Sequence, residues 1–131
     1  MTEGPAKRHW WQEPEEAILR TARGKIFYQF DDSPVRRHFN GDFYLTDRRF
    51  AADRRRRKPS DDRPLPIDVP RDRVGEVEVV EVLTGTRTTH RPWFGRRVLR
   101  IEIELRGRAM TMGLVLPEVE AREWAEAMES N

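Results

Sequence analysis

Two runs in the second half of the chain, VLRIEIELR and AMTMGLVL, place an apolar side chain at every second position and are separated only by a short turn at Gly107. Leu99, Ile101, Ile103 and Leu105 fall on one face of the first, with Arg100, Glu102 and Glu104 on the other. Met110, Met112 and Leu114 share a face of the second. A period of two is the repeat of a strand with one face buried. So short a connection joins antiparallel neighbours, because parallel strands need a crossover of a dozen or more residues. No helical crossover separates any of the alternating runs, which excludes a parallel α/β fold. The period changes after Pro117, where Ala121, Trp124, Ala125 and Met128 stand at i, i+3, i+4 and i+7. Pro117 suits a first helical turn, and Glu118 and Glu120 lie near the positive end of the helix dipole. One amphipathic helix is therefore expected to close the chain and to cover one open end of a strongly bent sheet or barrel.

The rest of the strands are shorter. Ile26, Tyr28 and Phe30 alternate in GKIFYQF, while the part before Gly24 fits helix or strand. DDSPVRRHFNG is rich in turn formers, and Asn40 with Gly41 suits a tight turn because both tolerate positive φ. DFYLT, with Phe43 and Leu45 on one face, leads through Thr46 to Arg48 into RFAAD, a hairpin over roughly residues 42 to 53. The charged stretch DRRRRKPSDDRP has nothing to bury and is read as a loop. Prolines on either side of LPIDVP limit it to a short edge strand. In VGEVEVVEVL the apolar positions pass from Val77 and Val79 to Val80 and Val82, a change of phase that predicts a β-bulge.

The length of 131 residues suits one domain with one core. Residues 1 to 14 show no periodicity and are read as a tail carrying Trp10 and Trp11, with the domain proper over 15 to 131. The charged fraction of 37% nearly cancels, leaving a net charge of +2, so any basic surface must come from where the charges lie. The absence of cysteine removes disulfides, thiolate metal sites and cysteine nucleophiles. With no apolar leader core and no run of about 18 apolar residues, the expectation is a soluble cytoplasmic protein, with attachment to a membrane only at its periphery.

The order of these elements resembles the pleckstrin-homology-like superfamily, within it the GRAM-like and bacterial PH-like domains. Gly41 with DFYLTDRRF is similar to the family's glycine, aromatic strand, Leu-Thr turn and Arg-hydrophobic start of the next strand. LPIDVPRDRVGEVEV, VLRIEIELRGRAMTMGL and Trp124 in the terminal helix follow in the family's order, over about residues 15 to 129. The resemblance implies a mainly β (α+β) fold, a PH-like bent antiparallel barrel of about seven strands capped by one C-terminal amphipathic helix. It also implies a binding module rather than an enzyme, since PH-like domains engage lipid head groups, peptides or other domains. The phosphoinositide-binding pattern of the family is incomplete here: Lys25 opens it, but Arg36 and Arg37 are adjacent and do not supply its second half.

The residues themselves point the same way. His9, His38 and His90 have no ligand-type spacing, the pairs Asp31–Asp32 and Asp61–Asp62 sit in proline-containing loops, and no phosphate loop or nucleophile motif occurs. No catalytic residue, metal site or cofactor is expected. Two basic segments remain as candidate partner sites. Arg54, Arg55, Arg56, Arg57 and Lys58 form a run suited to phosphate, with a solvated loop balanced by nearby aspartates as the alternative. Arg91, Trp93, Phe94, Arg96 and Arg97 set two aromatics among bases in a stretch with no acid from Thr84 to Ile101. Aromatics at head-group level and arginines on anionic phosphates are the physics of interfacial binding. The other reading buries Trp93 or Phe94 as a plug for the barrel end. The expected partner is an anionic membrane surface or a protein. The alternatives are an assembly domain that uses a strand edge or the helix groove, and weak nucleic-acid binding through the same arginines.

Overall fold

A computed structural model describes residues 8–55, 63–84 and 89–129. Among them, β1 (Ile18–Phe30), β2 (Arg37–Thr46), β3 (Arg49–Arg54), β4 (Ile67–Pro70) and β5 (Val74–Val80) are followed by a small hairpin, β6 (Leu83–Thr84) and β7 (Thr89–His90). The chain then forms β8 (Arg96–Leu105), β9 (Arg108–Pro117) and the helix α1 (Glu118–Glu129). Seven strands make one antiparallel sheet in the order β4-β3-β2-β1-β9-β8-β5. Its two outermost strands, β4 and β5, are joined in sequence by a single 3-10 turn at Arg71–Arg73. A connection that short holds the edges near each other, so the sheet curls into a half-barrel. The molecule is mainly β with one C-terminal helix, as the alternation predicts.

The bend is centred on β1. Ile18–Tyr28 of this strand pairs with β2 and Ile26–Phe30 with β9, so the two pairings overlap only over Ile26–Tyr28. Where the strand changes partners, Gly24 faces Gly41, and Gly41 faces Arg54 of β3. A Cβ on Gly24 would lie 2.9 Å from the Val115 carbonyl oxygen, and one on Gly41 would run into the carbonyl oxygen of Asp53. These glycines let backbones approach closely. Asn40 and Gly41 are consequently strand residues inside β2, not the tight turn expected of that dipeptide; the turn is confined to Asp31–Arg36. The segment before Gly24 is strand.

Alternation puts one set of side chains inside the curl. Ile26, Phe43, Phe50, Ile67, Leu99, Ile101, Met110, Met112 and Leu114 form the centre of the core. α1 lays Ala121, Trp124 and Met128 onto it, and Trp124, 1% exposed, packs against Phe43 and Phe50 with ring centroids 5.2 and 6.5 Å away. Pro117 ends β9 rather than opening the helix. A second, smaller cluster lies on the outer face, where Leu83 covers Phe27, Val98 and Val115. Gly113 leaves the room, since a Cβ there would lie 2.8 Å from Leu83 Cδ2. This cluster accounts for the change of phase near Val80. Pairing of Val77–Val80 with β8 is continuous, and the irregularity in register falls earlier, between Val74 and Val77. Val79 packs on the main core and Val80 on the outer cluster, so consecutive apolar residues serve two faces where a bulge was expected.

The segment preceding β1 is docked by Trp11, which packs with Tyr44, Ala51 and Leu65 against β2 and β3. Trp10 next to it is 59% exposed.

Candidate functional site

The connection between β7 and β8 is built so that its base is fixed and its tip is bare. Pro92 is buried. The Trp93 carbonyl accepts the Arg96 N–H at 3.0 Å, and Gly95 takes φ of 83°, the left-handed conformation that glycine enters at no steric cost. The Gly95 carbonyl accepts the Glu118 N–H at 3.0 Å, which ties the turn to the start of α1 and satisfies one of the helix's unpaired donors. Trp93 and Phe94 project from this anchored turn, 85% and 106% exposed. Neither is a plug. The helix supplies that residue as Trp124, which leaves the two loop aromatics no interior to fill.

Arg91 and Arg96 flank the tip, both exposed, and neither is paired with a carboxylate among the described residues. Arg97 differs: its Nη2 lies 3.7 Å from Glu118 and 3.9 Å from Glu81. A hydrogen bond from Arg122 and the charge of Arg97 hold the Glu118 carboxyl below its ordinary pKa. The stretch is free of acids in sequence, but the fold brings two to its third arginine. Val119, 69% exposed, extends the apolar surface of the tip onto the first turn of α1. Its only trace in the sequence is an apolar residue lying off the helix's buried stripe.

The other arginine group lies elsewhere. Arg54 ends β3 and Arg55 follows it, while Arg56, Arg57 and Lys58 lie outside the described residues. Arg54 stands 5.7 Å from the ring centroid of Phe39, and Arg55 donates its backbone N–H to the Asn40 carbonyl at 3.1 Å. Both border an open groove of about 600 Å3 whose walls include Leu105 and Arg106 at the β8–β9 turn. Arg96 is the first residue of β8 and Leu105 the last, about 30 Å apart along the strand at roughly 3.3 Å per residue. Among the described residues, Arg54 and Arg55 therefore stand at the opposite end of β8 from Arg96 and Arg97. Arg106, Tyr28, Phe30 and Phe39, which share the groove with Arg54, carry no motif that marks them in the sequence.

Two of the three histidines have aromatic neighbours, and the side chain of His90 lies outside those described. His9 stacks on Trp11 with centroids 5.3 Å apart, and His38 packs beside Phe27 at 5.7 Å. No helix among the described residues is long and apolar enough to cross a membrane. No family model, curated protein or solved structure gives a significant match to the chain.

Proposed function

We propose that the chain is a non-enzymatic, PH-like binding module that docks on an anionic membrane surface through the turn from Arg91 to Arg97. The observation that carries this reading is the exposure of Trp93 and Phe94, 85% and 106%, on a turn anchored at both ends. Bare aromatics of that size cost free energy in water and gain it at the head-group boundary, where amphipathic rings collect. Arg91 and Arg96, without carboxylate partners among the described residues, stand ready for lipid phosphates, each base near an anionic surface contributing about 1 kcal/mol. Arg97 is partly neutralised by Glu81 and Glu118 and serves chiefly to hold the turn against α1. The resemblance to PH-like domains and the bent sheet with its terminal helix support the same reading.

Co-sedimentation with vesicles of phosphatidylglycerol and phosphatidylcholine is the direct test. Binding is expected at low salt, with Arg91→Ala plus Arg96→Ala weakening it about thirtyfold, the equivalent of roughly 2 kcal/mol. Trp93→Ala plus Phe94→Ala is expected to abolish the part of the binding that survives high salt. Absence of sedimentation at low salt, or sedimentation indifferent to both pairs of substitutions, refutes membrane docking.

A further inference from the structure

The groove at the far end of β8 has a composition unlike the tip. Tyr28, Phe30 and Phe39 are each only partly buried, and they lie over Met110 and Ile67, which belong to the core. The rim of this apolar floor is mostly basic, with Arg54, Arg55, Arg63 and Arg106 against a single acid, Asp53. Arg54, Arg55 and Arg106 are exposed and, among the described residues, form no ion pair. The volume of about 600 Å3 falls within the roughly 300–1,000 Å3 that accommodates one drug-sized ligand. None of the lining residues comes from α1, so the helix does not cover it.

An apolar floor with cations at its edge is complementary to a molecule that has an apolar body and an anionic head. The ring geometry narrows the body further. Arg108 lies 3.8 Å from the Phe30 centroid and is itself held by Asp32 at 2.6 Å, and Arg54 stands over Phe39. Tyr28 meets Phe39 edge-on, at 66° and 6.0 Å. With guanidinium groups already over Phe30 and Phe39, a nucleobase would have to compete with them for those faces and finds only Tyr28 without one. An aliphatic chain needs no open face and can lie against ring edges, Met110 and the arginine stems.

We propose that this groove binds a single-chain anionic amphiphile, its acyl body over Tyr28, Phe30 and Phe39 and its carboxylate or equivalent head on Arg54, Arg55 and Arg106. The ligand is taken as a free monomer rather than as a lipid within a bilayer, because the groove has room for one chain and lies at the opposite end of β8 from the exposed tip.

Calorimetric titration with dodecanoate below its micellar concentration tests the site, with the methyl resonance of Met110 followed in parallel. Saturable binding at one site with a shift at Met110 is expected. Dodecyltrimethylammonium, which has the same body and the opposite charge, should bind at least tenfold more weakly. Arg54→Gln with Arg106→Gln, both surface changes, should lower dodecanoate affinity tenfold or more while the far-ultraviolet circular dichroism stays unchanged. Trp93→Ala with Phe94→Ala should leave it as it is, which separates this site from membrane docking. Non-saturable uptake, equal affinity for the cationic amphiphile, full affinity in the double arginine variant, or tighter binding of adenosine monophosphate than of dodecanoate each overturns the proposal.

Discussion

Glu16 is a carboxylate buried to 4% exposure immediately before β1, and every oxygen it has is used. Thr46 donates its hydroxyl to it at 2.6 Å, the Glu13 N–H donates at 2.9 Å, and Arg49 holds both oxygens at 2.9 and 3.0 Å. Burial by itself raises the pKa of such a group, but the hydrogen bonds from Thr46 and the Glu13 backbone, with Arg49, outweigh it and hold the carboxyl below its ordinary value. A carboxyl whose folded pKa lies below its unfolded value, about 4.3, contributes stability that is fully present above the unfolded value. That stability is lost as the pH falls through the folded one. Glu16→Gln keeps the shape and removes the charge. Since Arg49 retains Glu13 and Asp68 as partners, the cost at neutral pH should be about 2 kcal/mol, the scale of a hydrogen bond to a charged group, or roughly 6 to 10 °C in melting temperature. Thermal melts of both proteins across the acid range check this, because the difference between them should shrink once the pH passes below about 4. A difference that stays constant with pH would mean that packing, not the ionised carboxylate, sets the effect.

At the scale of elements, what alternation can report is which face of a strand is apolar, and for β8, β9 and α1 that was enough. All seven apolar residues named in the two opening runs lie in the core. What it cannot report is where two backbones come so close that a side chain is forbidden. Gly41 was legible as a glycine that matters, and its reason was misread: the Asn-Gly pair resembles a turn, yet the residue is fixed by the Asp53 carbonyl oxygen across the β2–β3 pairing. The obstacle is backbone, which has no rotamer to change. Gly41→Ala should therefore separate β3 from β2 at the bend and cost at least 2 kcal/mol, a size reserved for named mechanisms such as overpacking. A urea titration measures it, and an unchanged midpoint would show that the sheet can flatten to admit the methyl group. The groove was illegible for a related reason. Tyr28 and Phe30 alternate in phase with Ile26 and look identical to core residues in sequence. They remain partly open because they line the groove, to which α1 contributes no residue, and because β2 pairing stops at Tyr28.

For the whole molecule, the decisive fact is separation. Two arginine groups that local charge marks alike stand apart: Arg54 and Arg55 share a groove with Leu105 and Arg106 at one end of β8, and Arg96 and Arg97 begin its other end. Acids remote in sequence, Glu81 and Glu118, then settle beside Arg97 and divide the tip's bases into one that braces and two with no carboxylate partner among the described residues. A body anchored by Trp93 and Phe94 must hold its β8–β9 turn about 30 Å along the strand from the bilayer surface, more than twice the roughly 10 Å screening length at 0.1 M salt. The arginines of the groove would then stand outside the reach of the lipid phosphates. The chain contains no cysteine, so Phe94→Cys and Arg106→Cys each give a unique attachment point for a polarity-sensitive dye. Labelled at position 94, the protein should show a blue-shifted emission on anionic vesicles; labelled at 106, it should show none. Equal shifts at both positions would mean that the molecule lies flat or tumbles on the surface, and shifts at 106 alone would reverse its orientation and transfer membrane contact from the tip to the groove.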